Sequence, residues 1–485
     1  MKNAAKVTLA TSAIFFAASA AAQEPDRAHL SLVAGYKTAF TCSAHFNAGR
    51  SIEEIAGDEL HRIYSGYREA MAELPDAEFH GISVNATPDG EEPANYFRAV
   101  SVTYDENEPP RYAVWRPHLG CVQLPTYATQ WAAIHVPMID LEAPELGPSD
   151  LWPEGDAIPT TFFADTPQGY NLAGVVADAF DRMTYGEGTE TTAVIVVENG
   201  KIVAEKYRDG ISMTTPQRTW SVAKSIASSI IGAAVKEGVI DVSDRAALSA
   251  WEAPADPRRD ITIENLLHMS SGLTSPHAGN RTDDVYFGGA RVVDHAITNR
   301  LVAEPGTRWR YANNDTMAAM RALREKIDDD DAYLRFPFER LLHKIGMRHT
   351  FLETDWNGDF ILSSQVWTTA RDLARLGLLY LNDGVWNGER VLPEDWNDYV
   401  ATPAPAQPPA TRSNGDPYPG YGAQWWLYDE KFGLPKGTYA ARGNRGQYLM
   451  IIPERNVLIV RRGFDDGGGF ALARFSADIL AALPE

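Results

Sequence analysis

The sequence predicts an α+β fold, in which an antiparallel sheet is assembled from two distant parts of the chain and a helical domain is inserted between them. Three observations carry this. First, residues 191–207, TTAVIVVENGKIVAEKY, place two β-branched runs around Asn199-Gly200, a pair that tolerates the positive φ of a tight hairpin turn. Second, YLMII and VLIVRR near the far end flank a Pro-Glu-Arg-Asn turn. Third, the long stretch between these β regions reads mainly as helix.

The composition supports a large folded core. The 485 residues are 44% hydrophobic and 22% charged, which excludes global disorder. Glycine and proline follow no collagen-like period, and no solenoid or propeller repeat is present. The formal net charge of −21, without any Lys/Arg-rich run, argues against a nucleic-acid partner.

Taken in order, residues 1–22 read as a secretory signal peptide: Lys2 and Lys6 precede a short apolar run ending in Ala20-Ala21-Ala22. Cleavage after about Ala22 and export to the periplasm or medium are expected. No later stretch is a transmembrane candidate. Residues 23–160 form an N-terminal module and linker, with a helix candidate at Ile52 to Leu74, strand-like runs at Arg98 to Tyr104 and Arg111 to Trp115, and prolines crowding after Leu124. Cys42 and Cys121 are the only cysteines, and an isolated pair in an oxidising compartment is a disulfide candidate. The module has no catalytic signature, so it either caps a cleft or serves as a stabilising appendage.

Residues 161–485 form the main domain. Leu172, Val175, Val176, Ala179 and Met183 fall on one helical face before the hairpin. Thr369, with Asp372 three residues on, resembles a capping box before the apolar helix Leu373 to Leu381, which Asn382-Asp383-Gly384 ends. Leu472, Phe475, Ile479 and Leu483 mark a closing helix.

The chemistry concentrates in three places. Ser221-Val222-Ala223-Lys224 opens a helix running to about Gly238, and i to i+3 spacing puts hydroxyl and amine on one face. The positive end of the helix dipole favours an alkoxide and disfavours the ammonium form of a buried lysine, and a neutral lysine can take the serine proton. Serine at a helix start is also an ordinary cap. Tyr311 and Asn313 are two residues apart, so in an extended segment both face a cleft. Ala441-Arg442-Gly443-Asn444-Arg445-Gly446-Gln447 leads into the strand YLMII, and a glycine-spaced edge strand permits close approach of a substrate.

Other constellations are weaker. His268, His343 and His349 lack the Gly-x-Ser-x-Gly elbow of a Ser-His-Asp hydrolase, and His268 ends an apolar helix. Asp328 to Asp331 lacks the glycine and spaced oxygens of a calcium loop and reads as a turn before a helix near Phe336. No metal-ligand spacing is present, and no cofactor is expected. One of Trp425 and Trp426 is expected to face the cleft.

In that order and context, Ser221-x-x-Lys224, Tyr311-x-Asn313 and Ala441-x-Gly443 resemble the three active-site motifs of the penicillin-recognising serine hydrolases, in their class C β-lactamase-like branch. The segments 261–273 and 304–313 resemble that branch as well, and TTARDLARLGLLYLNDGVWNGERVLP and GYGAQWW through GNRGQYLMIIPERNVLIVRRG are similar to the 6-aminohexanoate-oligomer hydrolases and related esterases. The resemblance spans about residues 170 to 484 and implies a β-lactamase/transpeptidase-like fold. It makes Ser221 the nucleophile, Lys224 its base, Tyr311 the proton relay and Asn313 a binder of the substrate carbonyl. The backbone amides of Ser221 and Asn444 become the oxyanion hole of an acyl-enzyme mechanism without metal.

One departure matters. The third motif of most such enzymes begins with Lys or His, and here Ala441 stands in that place, removing a cation that Arg442 or Arg445 would have to replace. An ester or linear amide, small or a short oligomer, is therefore the expected substrate. The competing readings are a β-lactamase or D-alanyl carboxypeptidase-type enzyme, and a non-catalytic periplasmic peptide-binding protein.

Overall fold

In the computed structural model the described residues are 26–61, 63, 65–84, 95–144, 150–158, 167–275, 283–466 and 469–484. The expected signal peptide, 1–22, and the boundary near residue 160 lie outside them.

The N-terminal module begins with helix α1 (Arg27–Ala48), followed by α2 (Ile52–Gly57) and α3 (Ser65–Glu73). The single helix expected over Ile52 to Leu74 is thus two. Gly57 closes the first, and the carboxylate of Asp58 just beyond pairs with Arg50 and Arg208. Strands β1 (Glu78–Val84), β2 (Asn95–Val102), β3 (Arg111–Arg116) and β4 (Gly120–Gln123) form an antiparallel sheet in that order. Helix α1 packs across it, and Cys42 on α1 is bonded to Cys121 on β4. The sequence reading passed over α1 because its buried residues, from Val33 through Tyr36, Phe40 and Cys42 to Asn47, circle the helix instead of forming a stripe.

In the main domain, α4 (Pro167–Asp178) precedes the hairpin β5 (Thr191–Glu198) and β6 (Lys201–Tyr207). Its turn has positive φ at both Asn199 (49°) and Gly200 (77°), as the sequence required. Leu172 and Val176 of α4 and Ala179 just beyond it are buried, but Met183 lies past the helix end and is 64% exposed, a correction to the periodic reading. After β7 (Gln217–Arg218) comes α5 (Val222–Lys236), then the short helices α6 (Ile263–Leu267), α7 (Asp283–Phe287) and α8 (Val292–Ile297). The helices α9 (Asn313–Ile327) and α10 (Asp330–Pro337) complete the insert. The acidic run divides between them: Asp328 ends α9 in a left-handed conformation and Asp329 caps α10.

Strands β8 (Thr350–Leu352) and β9 (Val366–Thr368) join β7 in a small sheet. Helix α11 (Ala370–Leu381) starts at Thr369, whose hydroxyl accepts from the amide of Asp372 at 3.0 Å. Only that half of the expected capping box forms, because the Asp372 carboxylate is taken by the amide of His349, the Thr350 hydroxyl and Arg375. The hairpin β10 (Val385–Trp386) and β11 (Glu389–Arg390) and helix α12 (Trp396–Ala401) lead into β12 (Gly420–Tyr421), β13 (Trp426–Tyr428), β14 (Thr438–Gly443), β15 (Gln447–Ile452) and β16 (Val457–Gly463), and α13 (Leu472–Ala482) closes the chain.

The large sheet is antiparallel with order β12-β13-β14-β15-β16-β5-β6. Strand β16 pairs with β5, so early and late segments meet in mid-sheet with the helical insert between them in sequence, the α+β sandwich that was expected. Helices α5 and α11 cover one face and α4 and α13 the other. Strands β5, β15 and β16 are buried on both faces, which explains why they read as continuous apolar runs rather than as alternation. Among the described residues, no helix is long and apolar enough to cross a membrane.

Candidate active site

Helix α5 is preceded by a strained turn. Trp220 has φ = 50°, a conformation that a bulky residue rarely adopts, and the Arg218 guanidinium lies 3.8 Å from its ring centroid. Ser221 occupies the N-cap position, yet its side chain makes no capping hydrogen bond. The hydroxyl instead lies 3.2 Å from the amine of Lys224, one turn along the same face. Ordinary capping therefore does not account for this serine.

Lys224 is buried, with 1% of its surface exposed, and has two further partners. Its amine donates to Asn313 Oδ1 and to the carbonyl of Ser363, each at 2.7 Å. No carboxylate pairs with it among the described residues, and burial lowers its pKa to about 7. A neutral amine has two N–H bonds and one lone pair. With both N–H groups given to the oxygens of Asn313 and Ser363, the lone pair is left on the side of the Ser221 hydroxyl.

Tyr311 closes the other side. Its phenol is hydrogen-bonded to Ser221, and burial raises its pKa to about 12, so it is neutral at ordinary pH. The Lys224 amine sits 5.1 Å from its ring centroid. Asn313 does not continue an extended segment, as the sequence reading supposed. Ala312 is extended, but Asn313 is the first residue of α9, and its oxygen is used by Lys224. Only its NH2 group is left to bind a substrate.

The third element approaches from β14. A Cβ on Gly443 would stand 2.2 Å from the Thr219 carbonyl and 3.2 Å from the Ser221 amide, so only glycine lets this strand reach the serine turn. Asn444 follows, exposed at the cleft. Ala441 is fully buried in the core, and the two neighbouring arginines part ways. Arg442 lines the cleft with its guanidinium 5.3 Å from the Trp426 ring centroid. Arg445, at φ = 56°, spends its guanidinium on the carbonyls of Asp58, His61 and Phe464, which ties the Asn444 turn to the N-terminal module.

The resulting cleft holds about 570 Å³ and includes Ser221, Tyr311, Tyr418, Trp426, Arg442 and Asn444. Trp426 faces it, whereas Trp425 is fully buried beneath, packed on Tyr380. The three histidines lie elsewhere. His268 is buried against Tyr399 with its pKa lowered to about 4 by burial, His343 is likewise lowered to about 4, and the backbone of His349 caps Asp372. Among the described residues, no cluster of His, Cys, Asp or Glu could hold a metal ion.

Sequence reasoning missed several contributors. Ser363 acts through its backbone carbonyl, which no side-chain motif announces, and Tyr286 bonds the Ser363 hydroxyl from α7. The arginines 308 and 310 that flank Trp309 were legible as residue types, but their place on the cleft wall was not.

A family model described as Beta-lactamase matches residues 176–462. The chain is 25% identical over 293 residues to the 6-aminohexanoate-dimer hydrolase of Paenarthrobacter ureafaciens, covering 57% of this chain and 73% of that protein. Its fold is similar to that of a family VIII carboxylesterase, at 14% identity and a TM-score of 0.53, covering 65% of this chain and 98% of the esterase. It is similar as well to EstCE1, a hydrolase with promiscuous acyltransferase activity, at 15% identity and a TM-score of 0.50, covering 65% and 98%. The chain belongs to the Beta-lactamase family and is a β-lactamase-related serine hydrolase.

Proposed function

From membership in that family, we propose that this protein is an exported hydrolase cleaving an ester or linear amide through an acyl-enzyme on Ser221. One observation carries the reading: a serine at a helix start leaves its capping role unfilled and points at a buried, carboxylate-free lysine. In the first step the Ser221 oxygen bonds the substrate carbonyl carbon while its proton passes to the Lys224 lone pair. The carbonyl oxygen becomes an oxyanion received by the amides of Ser221 and Asn444. Tyr311, bonded to Ser221, delivers a proton to the leaving alcohol or amine as the C–O or C–N bond breaks. Water then attacks the acyl-enzyme by the reverse proton path, releasing the acid and restoring the serine. Asn313 holds Lys224 and offers its NH2 group to the substrate carbonyl.

An ester or linear amide is the substrate class favoured here; the cation usual at the head of the third motif is replaced by Ala441, buried in the core, while Arg442 beside it faces the cleft. The relative acting on a 6-aminohexanoate dimer and the carboxylesterase neighbour favour the same choice. Export rests on residues 1–22 and is tested by fractionating cells that express the full chain. The activity is tested by intact-mass analysis of wild type and Ser221→Ala after a fluorophosphonate probe. A single adduct on wild type alone is expected; an adduct on neither protein would turn the reading toward a binding protein.

A further inference from the structure

The rim of the cleft carries a charge pattern that the reaction itself does not need. Arg308, Arg310, Arg412 and Arg442 all line it, and among the described residues no Asp or Glu does. This is unexpected in a chain with 65 acidic and 44 basic residues. Several arginines elsewhere meet carboxylates, as Arg321 meets Asp359, Arg371 meets Glu205 and Arg461 meets Asp465, while Arg462 is buried among neutral oxygens. Among the described residues, none of the four rim arginines has a carboxylate partner; the Arg310 guanidinium donates to the Ser275 hydroxyl at 3.3 Å.

Two of the four are held in place by aromatic rings. Arg412 lies 5.1 Å from the Tyr418 centroid and Arg442 lies 5.3 Å from that of Trp426, and these two rings meet edge to face at 5.7 Å. Arg442 also shares a hydrogen bond with the neutral Tyr428 side chain, which leaves its charge uncompensated, and a guanidinium has five N–H donors, enough to pair with a carboxylate as well. Arg308 and Arg310 stand on the segment entering Tyr311, whereas Arg412 and Arg442 belong to the sheet side. Unneutralised cations therefore enter the cleft from two different parts of the fold, more than one carboxylate can satisfy.

We infer that the cleft takes esters or amides bearing more than one carboxylate, a polyanionic substrate bound by these arginines. The inference rests on the hydrolase reading above and names the substrate class of the same site. Against a net charge of −21, such a patch also concentrates anions where the bulk of the surface repels them.

Two measurements test it. The first compares kcat/KM for 4-nitrophenyl esters of butanoate, succinate and tricarballylate, carrying none, one and two free carboxylates. The expectation is a rise of about tenfold from the neutral to the doubly charged ester, shrinking as salt is raised from 20 to 300 mM. R308Q, R412Q and R442Q should each reduce the ratio of charged to neutral turnover, and R474Q on the remote α13 should leave it alone. The second is calorimetric binding of free tricarballylate to Ser221→Ala, which needs no turnover. Binding that weakens with salt and in R412Q supports the inference. If the neutral ester is turned over and Ser221 is labelled, yet tricarballylate does not bind and the charged esters are no better, this inference falls and the hydrolase reading stands. Absence of labelling with tricarballylate still bound would sink the hydrolase reading, and with it the ester and amide substrates, leaving the arginines as a polyanion-binding site only.

Discussion

Two cations are buried on opposite sides of the large sheet, and they have opposite fates. On the α4/α13 side, Arg461 is fully buried and paired with both carboxylate oxygens of Asp465 at 2.7 Å, with Thr191 and the Gly446 carbonyl taking further N–H groups. On the α5 side, Lys224 has neutral oxygens for partners and no counter-ion among the described residues. A desolvated cation with a counter-ion keeps its charge and fastens the structure, whereas one without gives up its proton and becomes a base. The same burial thus yields a strut in one place and, in the mechanism proposed above, a base in the other.

The contrast can be broken by exchanging each cation for methionine. Lys224→Met should lower kcat/KM by about 10³-fold or more while leaving the fold intact. It should also stabilise the protein at neutral pH. The folded pKa of about 7 lies below that of a free lysine, so the cost of burying Lys224 is full below pH 7 and fades as pH rises toward 10.5. A variant that loses activity and gains melting temperature meets both expectations; near-normal activity would remove Lys224 as the base. Arg461→Met should do the reverse, costing about 3–5 kcal/mol by stranding Asp465, read from a denaturant titration.

Smaller effects sharpen the same comparison. Arg445→Ala frees the turn that holds Asn444 from three carbonyls, and a misplaced oxyanion donor should cost up to about 10²-fold in kcat with a lesser change in KM. Equal loss in both parameters would mean that the turn binds substrate instead. In wild type, kcat/KM should fall about tenfold per pH unit below 7, as Lys224 is protonated and ceases to accept the serine proton. A profile flat down to pH 5 would contradict that assignment.

The smallest effect belongs to Glu353, the acidic counterpart of Lys224. Buried, and hydrogen-bonded by Ser43, Asn47 and the Cys121 amide, it joins the main domain to the N-terminal module, and burial raises its pKa to about 7. Because the folded pKa exceeds the free value of about 4.3, its contribution is full below that pH and is lost as pH rises through 7. Glu353→Gln keeps an acceptor for the three donors and should raise the melting temperature by a few degrees at pH 8 and not at pH 4. An equal change at both pH values would show that the carboxylate does not titrate there.

Legibility followed the range of the interactions. The Asn199-Gly200 hairpin, the strands YLMII and VLIVRR and the start of α5 were readable because a few adjacent residues decide them. Helix α1 was not, since a helix buried all round presents no stripe, and the Ile52 to Leu74 helix failed at Gly57, where Arg50 and Arg208 converge on Asp58. Asn313 was identified as a site residue but assigned to the wrong local structure, because α9 begins one residue earlier than the extended pattern suggested.

By itself, then, the sequence determined that a serine and a lysine share one helical face, that an Asn-Gly pair turns the first hairpin, and that apolar strand-forming runs stand near both ends of the main domain. Those are matters of local geometry, set by helical pitch, turn dihedrals and side-chain shape, whereas the strand pairing across the insert and the approach of Gly443 to the Thr219 carbonyl came from the tertiary structure. Whether Lys224 is charged was decided only by tertiary structure. Its partners lie 89 and 139 residues away at Asn313 and Ser363, and its pKa depends on the water they exclude. The same holds for which arginine turns into the cleft: charge, hydration and direction are properties of what surrounds a residue, and the surroundings come from the whole chain.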